Sequence, residues 1–238
     1  MSASVILSIL ALYTSGFLLI ITGLVVLRKF ENTPSERCLG YGLLSAGLIL
    51  GPFMGTRTIF GIKGYHGIDA ALSVSNQVFM MFSFVVFGMY FSYKMLGVER
   101  ENIIKNVAFI FGSAFFIVFV YSLATHAYTG PHITKWGTEY RPTGVAKWFV
   151  FLSWMFLIFL NFSFLVRRVR GKIKKRRKEL GLDFYVGLIL FVYLTASIFE
   201  ELAGVATWKL VFSRVTGNAF AVSLYLLYTK DSFKKENL

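Results

Sequence analysis

Cysteine occurs once in the 238 residues, as Cys38, so no disulfide framework can staple this chain internally. The same scarcity leaves the redox compartment undetermined. Acidic side chains are few, 12 against 25 Lys and Arg, which gives a net charge of +13. There are three histidines, His66, His126 and His132, and their spacing matches no metal motif. No Lys or Arg precedes the first apolar run, since the chain starts Met1-Ser2-Ala3-Ser4. A cleavable signal peptide needs a positive n-region, so the first run is expected to be a retained span.

What is abundant is apolar surface. Apolar residues make up 56% of the chain and aromatics 18%, with a mean hydropathy of +0.64. That level belongs to a protein solvated by lipid. At roughly 20 apolar residues per crossing, the length accommodates about seven spans and no soluble catalytic or signalling domain.

Apolar runs separated by charge, Gly and Pro predict an all-α polytopic membrane protein, a bundle of about seven transmembrane helices forming one domain over residues 1–238. The spans are expected at Val5 to Leu27, Leu39 to Ile62, Asp69 to Leu96, Asn106 to His126, Val145 to Val166, Phe184 to Thr207 and Leu210 to Tyr228. Only Trp208 and Lys209 separate the last two, which predicts a tight hairpin there.

Charge assigns the sides. Of the 25 Lys and Arg, only Arg57, Lys63, Lys135, Arg141, Lys147, Lys209 and Arg214 fall on the side of the N-terminus. The remainder cluster on the opposite side, so the positive-inside rule puts the N-terminus outside and the C-terminus in the cytoplasm. Trp136, Trp148 and Trp208 fall near the outer boundary, where interfacial aromatics anchor spans. The expected location is the plasma or cell membrane.

Gly47, Gly51 and Gly55 recur at every fourth position of the second span, which bares one helix face to a neighbour. Pro52 lies among them and removes one backbone donor. That face is expected to be a packing seam and a kink, with a hinge as the alternative.

Polar residues inside spans are expensive and so informative. Arg57, Asn76, Gln77, Glu200, Glu201, Arg214 and Asn218 all fall toward the outer ends of four spans, about 5 to 15 Å below the boundary. They are candidates for a ligand pocket or an intramembrane ion pair, with Arg57 and Arg214 as partners for Glu200 and Glu201. Tyr193, Ser197 and Gly204 extend the glutamate stripe. His66, His126 and His132 are at best weak metal candidates beside Asp69 and Glu139, and a pH response is the better use of them.

The stretch from Arg167 to Lys178 is dominated by charge: Arg167, Arg168, Arg170, Lys172, Lys174, Lys175, Arg176, Arg177 and Lys178 are all basic. It is expected to be a cytoplasmic loop that holds anionic lipid headgroups or docks a protein partner. Nucleic acid is not expected, because no aromatic interleaving or recognition motif accompanies the charge. Cys38 follows Arg37 at the inner membrane face, where acylation can occur, though such a cysteine is more often simply a small apolar residue.

Several chemistries are excluded. Val215 to Tyr228 contains no lysine for a retinal Schiff base, and no histidine pair lies deep in the spans for haem. Glu200-Glu201 is followed by Val205 where intramembrane CAAX-type proteases carry arginine. Neither an Asp-Arg-Tyr nor an Asn-Pro-x-x-Tyr motif of eukaryotic G-protein-coupled receptors appears. No resident cofactor and no enzymatic activity are expected. The leading expectation is a membrane receptor or sensor with an outward-facing polar pocket and a basic cytoplasmic face for a separate partner. A small-solute or ion transporter or channel is the second reading, and a structural subunit of a membrane complex the third.

Overall fold

A computed structural model describes residues 3–125, 128–134, 137–175, 181–202 and 207–229. The helices are α1 Ala3–Lys29, α2 Pro34–Leu48, α3 Met54–Ile62, α4 His66–Leu96, α5 Glu101–Ala124, α6 Gly144–Lys175, α7 Leu182–Leu202 and α8 Thr207–Thr229. A π-helical turn, Ile49–Phe53, joins α2 to α3 into one continuous run. Five helical runs are long and apolar enough to cross a membrane: Ala3–Lys29, Pro34–Ile62, His66–Leu96, Val98–Tyr121 and Lys147–Gly171. The chain is therefore an integral membrane protein.

Its surface agrees. Phe109, Ile110, Phe116 and Ile117 of α5 are each more than 60% exposed, as are Phe17 of α1 and Phe159 of α6. Water would not tolerate such a belt, but hydrocarbon does.

The neighbours close a ring in the order α1, α2, α4, α6, α7, α8 and back to α1, and α5 lies outside against α4 and α6. The core mixes leucine and valine with interlocking aromatic rings. Phe84 packs on Phe115 and Trp154, Phe91 on Phe164, and Tyr193 stacks on Phe220 at 4.2 Å between centroids.

The closest approach is between α1 and α2. A methyl group added at Gly16 would lie 2.5 Å from the Gly51 Cα, and one added at Gly47 would meet the Gly16 carbonyl at 2.7 Å. Gly23 faces the Gly40 carbonyl in the same way, so two glycine pairs set the separation of these helices. Gly55 instead lies under the Tyr13 ring. Pro52 sits within the π turn, which lets the chain pass a ring that would otherwise collide with the preceding turn.

Four expectations change. An antiparallel hairpin, β1 Tyr128–Thr134 with β2 Gly137–Pro142, stands where a plain loop was expected, and it packs on α3. Threonine, tyrosine and isoleucine favour extended backbone there. The helix break expected at Trp208 and Lys209 falls earlier, because α8 begins at Thr207 and takes both into its first turn. A lone lysine marks the interface rather than the end of a helix.

The third change is that Asp69, expected to open a span among the histidines, lies one turn into α4 and is completely buried. The last is that the expected basic loop is largely helix. α6 continues through Arg167, Arg168, Arg170, Lys172, Lys174 and Lys175, while Arg176, Arg177 and Lys178 lie outside the described residues. Long basic side chains are good helix formers, and a helix of 32 residues is about 48 Å long, well beyond hydrocarbon thickness.

Candidate functional site

The polar residues gather at the two ends of the ring. At the Ala3 end, α3 brings Arg57 against the start of α4, where its Nε donates to Asp69 Oδ1 at 2.9 Å. Both are buried, and the pair lies between segments joined by the short turn at Lys63 to Tyr65. The same end receives α8. Arg214 Nε donates to Ser8 Oγ at 3.0 Å, and Asn218 Nδ2 donates to the Ala11 carbonyl at 3.1 Å. Asn218 also donates to the Arg214 backbone carbonyl one turn back, and each of the two side chains bonds separately to α1. Tyr13 and Thr56 share a hydrogen bond of 2.8 Å between α1 and α3.

Asn76 and Gln77 lie on α4, two turns below Asp69. Both are more than nine-tenths buried, yet Asn76 Oδ1 and Gln77 Oε1 have no hydrogen-bond partner among the described residues. Buried amide oxygens without partners are uncommon and point to water or a ligand.

Other expected site residues are more scattered. Glu200 and Glu201 occupy the last turn of α7, and their side chains lie outside the described residues, as does Gly204. His66 is exposed at the start of α4, and His132 sits in β1 opposite Glu139. His126 lies outside the described residues. Among the described residues no group of three His, Cys, Asp or Glu side chains converges as a metal site would require.

The Lys29 end carries a second cluster that sequence reasoning did not assemble. Lys94, near the end of α4, donates to Glu36 of α2 and to Asp183 Oδ1 of α7, the latter at 2.9 Å. Ser35 donates to the second Glu36 oxygen, and Arg168 of α6 donates to Asp183 Oδ2. One ammonium thus ties α2 to α7, and the guanidinium adds α6. Arg167 meanwhile donates to the Met95 carbonyl, closing the α4 terminus. Every carboxylate oxygen in this knot has a donor, the condition under which partly buried charge is tolerated.

The chain matches no family model, no curated protein and no solved structure.

The signal for the second cluster was available. Lys94 falls within the expected span Asp69 to Leu96, and a charge in that position calls for partners. Glu36 and Asp183 escaped because they fall just outside apolar runs. Asp69 is seven residues from Asn76, hence on the same helix face.

Proposed function

We propose that the chain is a seven-helix membrane receptor or sensor of the cell membrane, with its N-terminus outside and its C-terminus in the cytoplasm. Counting Pro34–Ile62 as one crossing leaves seven helical runs, five of them long and apolar enough to span, and the lopsided distribution of Lys and Arg supports the orientation. The Ala3 end then faces outward and the Lys29 end faces the cytoplasm.

The observation that carries the reading is the pair of buried acceptors on Asn76 and Gln77, beside the Arg57 to Asp69 pair. A small ligand offering N–H or O–H groups would satisfy them, and a difference in affinity between two helix arrangements would shift their populations. The Lys94 knot supports a closed resting state at the cytoplasmic end. Beyond it, the basic extension of α6 is suited to anionic headgroups or to a separate cytoplasmic partner that carries the output.

The test is a thermal-shift screen of the purified protein against small amines, alcohols and amides. A receptor shows a stabilising compound whose effect disappears in Asn76→Leu and persists in Ser75→Ala, which alters a different face of α4. A compound that reconstituted vesicles accumulate against its gradient would replace the receptor reading with the transporter.

A further inference from the structure

Four polar residues recur at intervals of seven along α4: Asp69, Asn76, Ser83 and Tyr90. All are buried, with exposures of 0%, 8%, 7% and 0% in that order. Each also has an oxygen with no hydrogen-bond partner among the described residues, namely Asp69 Oδ2, Asn76 Oδ1, Ser83 Oγ and Tyr90 Oη. Seven residues fall about 20° short of two full turns, so the four oxygens form one slowly drifting file on one helix face. At 1.5 Å per residue the file is about 31 Å long, close to the hydrocarbon thickness of about 30 Å.

Scattered packing faults would not keep one register through six turns. An unsatisfied polar group in hydrocarbon costs several kcal/mol, and a serine with nothing to bond is readily replaced by alanine. Successive oxygens are about 10 Å apart along the axis, a gap that a short chain of hydrogen-bonded water molecules spans.

Both ends of the file reach charge. Asp69 is held by Arg57, and Tyr90 precedes Lys94 by one turn, with the Lys94 ammonium 5.7 Å from its ring centroid. That ammonium is bound to Glu36 and Asp183, so carboxylates stand at each terminus.

We propose that α4 carries a proton path across the membrane, a file of internal water joining Asp69 at one end to the Glu36, Lys94 and Asp183 cluster at the other. A proton entering at Asp69 is passed along by O–H exchange. Each water or hydroxyl accepts a proton from one neighbour and releases its own to the next, and the last is released at the Glu36 and Asp183 carboxylates. Only O–H bonds break and form, and the net change is one proton moved from one side to the other. The Asn76 amide orients water without relaying protons. The path shares Asn76 with the proposed ligand site, so proton entry is measured with no ligand present.

The experiment is proton entry into liposomes that contain the full chain and a trapped pH-sensitive dye, driven by a potassium diffusion potential with valinomycin. The wild type is expected to acidify the lumen faster than protein-free liposomes. Ser83→Ala and Tyr90→Phe, each of which deletes a single oxygen, return the rate to the protein-free level with unchanged thermal melting. Ser75→Ala, whose hydroxyl bonds to the Ala71 carbonyl on another face, keeps the wild-type rate. A wild-type rate equal to that of protein-free liposomes overturns the path without reference to any variant. Full conduction in both single-oxygen variants overturns it as well.

Discussion

Arg57 Nε and Asp69 Oδ1 stand 2.9 Å apart, with 8% of the arginine side chain and none of the aspartate exposed. An ion pair this sheltered is less a source of net stability than a constraint, because removing one member strands the other. Arg57→Met or Asp69→Asn alone is expected to cost about 3 to 5 kcal/mol, and the double substitution to recover part of that. A double-mutant cycle on thermal stability in detergent measures the coupling, and simple additivity would mean that the pair holds nothing in place. The same cycle on Arg214→Met with Glu200→Gln and Glu201→Gln is expected to show coupling for one of the two glutamates.

The glycines separate into two classes with opposite signs. Gly16→Ala places a methyl 2.5 Å from a backbone atom of Gly51 in the π turn after α2, so the helices must move apart and the melting temperature falls. Gly88→Ala meets only the Leu157 Cδ2, at 3.8 Å, beside a small cavity of about 30 Å³ between α4, α5 and α6. There the added methyl fills space and stiffens the helix, for a gain of about 1 kcal/mol. A melting temperature lowered by both substitutions would show that α4 has no spare room at Gly88.

What the sequence made legible follows from the physics of lipid. Hydropathy marks spans well because a backbone in hydrocarbon has almost no choice but a helix, and the positions of α1 and α4 were accessible on that basis. The spacing of Gly47 and Gly51 announced a close approach, although its partner, Gly16, could be named only once α1 and α2 were seen to pack. The contacts of Glu36 with Lys94 and of Lys94 with Asp183 join residues 58 and 89 positions apart, and nothing local encodes such pairings. Hydropathy also treats basic helix and basic loop alike, which hid the extension of α6. The regular spacing of Asp69, Asn76, Ser83 and Tyr90 was present in the sequence, but only burial turns a period of seven into a common environment.

Lys94 gives a prediction with a distinctive rescue. Its ammonium lies between Glu36 and Asp183, so Lys94→Met leaves the carboxylates of α2 and α7 with their shared cation gone. The loss is expected to be about 3 to 5 kcal/mol in melting experiments. Adding Glu36→Gln restores stability, because the amide needs no counter-charge while Asp183 keeps Arg168. Raised salt rescues little, since the cluster is mostly screened from solvent already. A fully stable Lys94→Met protein would show that the knot forms without holding the helices.

Sidedness can be settled with the chain's own scarcity of cysteine. Replacing Cys38 by serine leaves no thiol, so a single cysteine introduced elsewhere reports its exposure without background. The α6 extension carries Lys174 past the hydrocarbon at the Lys29 end, while Thr138 lies in β2, on the hairpin that packs on α3. On intact cells a membrane-impermeant maleimide is expected to label Thr138→Cys and to miss Lys174→Cys until the membrane is opened. The reason is electrostatic: an excess of Lys and Arg is retained on the cytoplasmic side, and the run beginning at Arg167 is the strongest block of it here. Labelling of Lys174→Cys from outside would invert the bundle, and with it the assignment of the Asn76 and Gln77 end as the outward-facing one.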